Sequence, residues 1–260
     1  MECDLRDHVQ RHIFFQGAYE PVESFIFYRL AKNAVCVVDG GANVGQYTLL
    51  AATASPSVQV HSFEPVECNF AKLKRHVAIN ALTNITINPT ALWNHNEILT
   101  LGVSAAEHNN GSYSVGSTES NCLLSTAQAM TFDEYARQRQ IERIDLVKLD
   151  VEGAERAALQ GMKATICKDR PTILMEVNRI ACHRLGYEPD EFWRMFVDEL
   201  GYEAWEIGMS ADDWKKTTKW SGRDMSNILF VPSVLPEYLA TGWSFKDCLR
   251  WAATRFTHRP

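Results

Sequence analysis

No run of about 18 apolar residues occurs in this 260-residue sequence, which excludes a membrane-spanning helix. Paired cysteines are missing too. The 7 cysteines are scattered singly, without Cys-x-x-Cys or Cys/His ligand spacing. They read as reduced, mostly buried thiols of a cytosolic protein, and no metal site is expected. Basic charge is not in excess: the formal charge of -6 argues against a nucleic-acid polyanion as main partner. The opening Met1-Glu2-Cys3-Asp4 lacks the charged-then-apolar profile of a secretion signal, so the expected location is cytoplasmic. No internal repeat or long low-complexity tract is visible, and homo-oligomerisation is compatible with the sequence. With 46% hydrophobic residues, the chain suits a single α/β domain with a sizeable core.

The organising stretch runs from Val35 to Gly45. A short apolar run with β-branched residues stops at Asp39, crosses Gly40, Gly41 and Ala42, and enters a helical pattern near Asn43. That pattern is a buried strand, a tight turn and a helix N-terminus. Val58 to Phe63 reads as a second strand ending in Glu64-Pro65. Gly41 and Gly45 would let a ligand approach the backbone, and the helix N-terminus offers N–H groups to an anion. Glu64 is placed to accept two hydrogen bonds from a ribose diol.

The dinucleotide fingerprint Gly-x-Gly-x-x-Gly is absent; from Gly41 the chain offers Gly-Ala-Asn-Val-Gly. Asp39 would repel a pyrophosphate but suits an ammonium or sulfonium, which points to S-adenosylmethionine. A ligand-free strand-to-helix turn is the plainer alternative.

Along the chain, 1–34 is expected as a helical arm, 35–233 as the ligand-binding α/β domain and 234–260 as a helical tail. A helix carrying Phe70, Leu73, Val77 and Ile79 inward should run to about Asn80. Asn84–Asn88 reads as the third strand, with Thr90 and Ala91 at its carboxyl end, and Glu97–Val103 as an additional strand. Ser104–Gln128 reads as a lid or a plain flexible loop. Ile141–Leu149, Pro171–Val177, Gly201–Ile207 and Asn227–Val231 complete the strands, with a helix over Glu188–Leu200. The result is a doubly wound, mostly parallel seven-stranded sheet with an antiparallel edge strand.

Ligands of such sheets bind outside the carboxyl ends of the strands. Lys148 lies inside a strand covered on both faces and therefore needs an acidic partner. Asp150 shares its face, and Glu176 stands on the adjoining strand. Such a group is where a general base could arise. The structural alternatives are an ion pair at Lys148 and helix capping by Asp150 or Glu155.

These residues carry a resemblance. Val38 to Gly45, Phe63-Glu64-Pro65 with Asn69, Lys148 to Glu155, and Arg170-Pro171 with Glu176 resemble the FkbM family of class I S-adenosylmethionine-dependent methyltransferases. The likeness runs from about Gly17 to Val231, and Leu149 to Glu155 is its most specific piece. Together with the reading above, it implies a Rossmann-like fold and a cofactor held by Asp39, Gly40, Gly41, Ala42, Asn43, Gly45, Glu64, Pro65, Asn69, Thr90, Ala91, Asp150 and Glu152. It further implies O-methylation of a sugar or natural-product hydroxyl. Gly40 stands where the family more often has a branched apolar residue, and a looser turn is expected. The implied mechanism is in-line attack on the sulfonium methyl, with Asp150 or Glu176 as base and Lys148 orienting the acceptor or tuning the acids. Trp205, Trp214 and Trp220 could stack on a sugar, and Lys215, Lys216 and Lys219 could bind a phosphate, unless they form only a hydrophobic hairpin with solvated lysines. The rivals are a nicotinamide oxidoreductase and a non-catalytic cofactor-binding subunit.

Overall fold

The computed structural model describes residues 1–104, 113–115 and 122–256. Its centre is an eight-stranded sheet in which β1 (Cys36–Gly40) pairs in parallel with β2 (Gln59–Phe63) on one side and β8 (Leu146–Leu149) on the other. Beyond β2 lies β3 (Ile85–Asn88), and beyond β8 lies β9 (Thr172–Asn178), both parallel to their neighbours. The sheet then turns antiparallel through β12 (Met225–Val231), β10 (Glu203–Glu206) and β11 (Lys215–Thr217). The doubly wound α/β fold is as expected, but with an eighth strand. The extra strand is Lys-Lys-Thr, too short and polar to signal itself; exposed lysines are what an edge strand tolerates.

Helices cover both faces because the strands are apolar on both. In β12, Ile228 and Phe230 face one core layer while Leu229 and Val231 face the other. The first layer holds α5 (Phe132–Gln138), α6 (Glu155–Gly161), α7 (Lys163–Asp169) and α9 (Asp190–Trp193), followed by a π-helical turn over Arg194–Glu199. The second holds α2 (Pro21–Ala31), α3 (Gln46–Ala54), α10 (Glu237–Ala240) and α11 (Phe245–Phe256). Helix α4 (Glu67–Ile79) follows the β2 tip, α8 (Arg179–Arg184) follows β9 and adds Cys182 to the first layer, and α1 (His8–Gln16) precedes α2. Helix α4 turns Asn69, Leu73 and His76 inward, and Ile79, expected inside, is 52% exposed.

The main departure from expectation is a second, four-stranded sheet. It contains β4 (Thr90–Leu92), β5 (Glu97–Ser104), β6 (Tyr113–Val115) and β7 (Cys122–Met130), in the order β4-β7-β5-β6. The Ser104–Gln128 stretch is therefore not one loop: β6 and most of β7 lie within it, and 105–112 and 116–121 fall outside the described residues. The small residues of β7 hid it. Ala127 and Ala129 bury one face through pairing with β5, without the branched or aromatic side chains that mark strands.

Candidate active site

A cleft opens at the carboxyl ends of β1, β2, β8 and β9, bounded on one side by the second sheet and on another by the N-terminal residues. The turn after β1 forms its floor. Gly41, Asn43 and Gly45 all take positive φ, so the turn runs longer than expected and α3 starts only at Gln46. The two glycines have a different purpose from the one read in the sequence. A Cβ on Gly41 would sit 1.8 Å from the Asp150 carbonyl oxygen, and one on Gly45 would sit 2.6 Å from Leu73 Cδ1. Chain packing, not ligand approach, fills that space. Gly40 likewise leaves room for Leu149 and Leu92 at the end of a regular strand, so its looseness is not realised.

Glu64 stands at the β2 tip, 4% exposed. Its oxygens accept from the Asn43 N–H at 2.7 Å and the Val66 N–H at 2.9 Å, stapling the two turns together. Burial outweighs these bonds and pushes its carboxyl up to about 7. Each oxygen retains lone-pair capacity for a further donor.

Asp39 is 1% exposed and does not line the cleft. Thr48 Oγ1 donates to it at 2.6 Å, and Thr48 meets Ser62 at 2.7 Å. Burial pushes Asp39 up to about 6. Beside it in register is Lys148, whose side chain is 1% exposed. The ammonium lies 3.3 Å from Asp150 Oδ2 and 5.0 Å from the Tyr47 ring centre. Burial alone would lower the Lys148 pKa; the Asp150, Glu20 and Glu176 carboxylates outweigh it and raise it. The expected acidic partner is present.

Asp150, Glu152 and Glu176 all line the cleft. Glu176 is pushed up, first by burial and then by the Asp150 charge, which favours its protonated form. Glu155, by contrast, turns away from ligand work: its Oε1 accepts from the Val151 and Gly153 N–H groups at 3.0 and 3.3 Å. These bonds tie down the turn before α6, and no side chain caps that helix.

The cleft thus gathers Gly41, Ala42, Asn43, Glu64, Pro65, Asn69, Ala91, Asp150, Glu152 and Glu176 from the sequence-derived set. Asp39, Gly40, Gly45, Thr90 and Lys148 stand behind or beside its lining. Thr90 belongs to β4 of the second sheet. Sequence reasoning missed His8, Tyr19, Gln46, Tyr47 and Trp93, which also line it. Tyr19 carried one faint signal, an aromatic residue inside a Gly-Ala-Tyr-Glu-Pro turn; His8 carried none. Gln46 ties Tyr19 in place, accepting from its N–H at 2.6 Å and donating to its carbonyl at 2.8 Å.

The tryptophans read as a sugar platform are elsewhere. Trp214 packs with Trp243 in one core layer, and Trp220 with Trp193 in the other. Trp205 donates to Glu203, and Lys216 pairs with the same carboxylate. The hydrophobic hairpin with solvated lysines is what forms. His95 and His183 are surface partners of Glu97 and Glu188, and His108 lies outside the described residues.

Comparisons with known proteins point the same way. The Methyltransferase FkbM domain profile matches residues 39–204. Methyltransferase 1 of Beauveria bassiana (strain ARSEF 2860) is 22% identical over 177 residues, covering 60% of this chain and 67% of its own length. Among solved structures, Methyltransferase FkbM from Methylobacillus flagellatus KT aligns with a TM-score of 0.43 at 16% identity, over 76% of this chain and 43% of that one. This chain thus spans less than half of that protein. An rRNA methylase from Streptococcus thermophilus aligns with a TM-score of 0.49 at 10% identity, over 82% of this chain and 96% of that one. With the profile spanning the β1 turn, Glu64, Asp150 and Glu176, the chain belongs to the FkbM methyltransferase family, and its cofactor is S-adenosylmethionine.

Proposed function

We propose that the protein is a cytoplasmic O-methyltransferase acting on a hydroxyl of a saccharide or natural-product acceptor. The observation that carries this reading is the meeting, in one cleft, of the Gly41–Asn43 turn, the Glu64 carboxylate and the facing acids Asp150, Glu152 and Glu176. In this reading Glu64 would accept from the cofactor ribose, while Ala91 and Asp150, which line the same cleft, would serve its adenine and methionine parts. Pro65 and Asn69 frame the ribose, with Asp39, Gly40, Gly45 and Thr90 supporting from behind. The division into a helical arm over 1–34, a cofactor-binding domain over 35–233 and a helical tail over 234–260 is part of the same proposal.

When bound, S-adenosylmethionine would supply the methyl group, given up to the acceptor oxygen with S-adenosylhomocysteine as the product, and the hydroxyl proton would pass to a carboxylate. Asp150 takes that role, because burial and the Asp150 charge favour the protonated form of Glu176. Glu176 then donates a hydrogen bond to the acceptor. Lys148 is sealed from the cleft and tunes Asp150 rather than touching the acceptor. The nicotinamide alternative draws no support from the glycine spacing, and a silent cofactor-binding subunit has no need of Asp150 and Glu176 together.

Calorimetric titration with S-adenosylmethionine, S-adenosylhomocysteine and NAD is the test. Micromolar binding of both adenosyl ligands, lost in Glu64→Ala, is expected, with no NAD binding. Undiminished methyl transfer in both Asp150→Asn and Glu176→Gln would sink the acid–base assignment.

A further inference from the structure

Glu20, the N-cap of α2 and the last of the residues joining it to α1, lies before the family-matched segment. Its backbone is left-handed, at φ 48° and ψ 69°. That conformation is uncommon for a residue with a side chain, and the following Pro21 favours extended backbone instead. Strain of this kind persists only where surrounding contacts impose it. Here the contacts are specific. The Tyr47 hydroxyl donates to Glu20 Oε2 at 2.8 Å, and Asn227 Nδ2 donates to Oε1 at 3.0 Å. Tyr47 is the ring beneath the Lys148 ammonium, and that ammonium pairs with Asp150 on the cleft. A continuous chain of contacts runs from the N-terminal turn to the cleft floor.

We propose that Glu20 is a positioning residue of the methyl-transfer site: it anchors Tyr47 under Lys148, and its carboxylate offsets the buried ammonium so that the potential at the cofactor sulfur stays negative. Glu23 shares the Asn227 donor, and its carboxyl is pushed up by burial and by the Glu20 charge. All variants are therefore compared in a Glu23→Gln background, where losing Glu20 leaves Lys148 one fewer counter-charge and a cationic ligand a less favourable field. The inference rests on S-adenosylmethionine occupying the cleft with its sulfonium toward Asp150.

The two cofactor forms measure that field directly, since S-adenosylmethionine carries a positive sulfur and S-adenosylhomocysteine a neutral one. Both affinities are measured by calorimetry for the wild type, for Glu23→Gln and, in that background, for Glu20→Gln, Glu20→Asp, Glu20→Gly and the exposed control Glu237→Gln. Glycine suits the left-handed backbone, so Glu20→Gly retains the fold even if Glu20→Gln does not. Removing a unit charge that acts through a partly screened interior should change the binding of a cation several-fold. The preference for S-adenosylmethionine over S-adenosylhomocysteine is expected to fall by that factor in Glu20→Gln and Glu20→Gly. It should hold in Glu20→Asp and Glu237→Gln. An unchanged preference, including equal weakening of both ligands, overturns the proposal and leaves Glu20 a purely structural residue. A wild type that binds neither ligand overturns the cofactor placement itself, and this inference with it.

Discussion

A protonated carboxyl donates where a carboxylate can only accept, and the surroundings of Glu176 favour the protonated form. Its pKa rises from 4.5 to about 9 because it is enclosed and faces the charge of Asp150. Between those values the folded protein holds a proton that the unfolded chain has released. Glu176 therefore contributes stability that is complete below pH about 4.5 and lost as pH rises through about 9. Glu176→Gln, which cannot ionise, escapes this loss. Its melting temperature relative to the wild type is expected to climb steadily between pH 5 and 9 in differential scanning calorimetry. A gap independent of pH would show that the carboxyl ionises as it does in the unfolded chain.

At the scale of elements, the N-terminal turn is fastened to α3 by one side chain. Gln46 accepts from the Tyr19 N–H and donates to the Tyr19 carbonyl and to Ser24 Oγ at 2.9 Å. Gln46→Ala leaves two buried-side backbone groups without these partners and should cost about 2 kcal/mol in urea unfolding. The loosening should be local, so faster amide exchange is expected over residues 17–24 and not in β8. Which elements announced themselves follows from their chemistry. Strand β1 was legible because a Cys-Val-Val run ends at Asp39-Gly40, β2 because Phe63 is followed by Glu64-Pro65, and β9 because Ile-Leu-Met is a continuous apolar run. The short strand β11, the six-residue α8 and the Ala/Ser/Thr-rich β7 were not, because pairing and capping by neighbours, rather than intrinsic preference, define them. The same division holds in the cleft. Glu64, Asp150 and Glu176 stand at predictable strand ends, whereas His8 and Tyr19 come from an arm whose path depends on the whole fold.

At the scale of the molecule, one sheet serves two cores. Adjacent residues of β12 make this testable, since Leu229 packs against the α2–α3 layer and Phe230 stacks on Phe196 in the opposite layer, ring centres 4.4 Å apart. Truncation to alanine should cost about 3 kcal/mol at Leu229 and about 4 kcal/mol at Phe230. Each variant should still melt in a single transition, because neither layer keeps its strands without the other. Two separated transitions in either variant would mean that the layers are independent units. No helix among the described residues is long and apolar enough to cross a membrane.

The Asp150 carbonyl occupies the place where a side chain at position 41 would lie, and this bears on how selection reads the chain. In a saturation library sorted only for folded protein, position 41 should return glycine alone. A second sort for cofactor capture would add no information there, while at position 64 it would discard variants that the first sort had passed. Retention of glycine in the turn is thus a record of two strands meeting, and the signature of ligand choice is to be sought at the β2 tip.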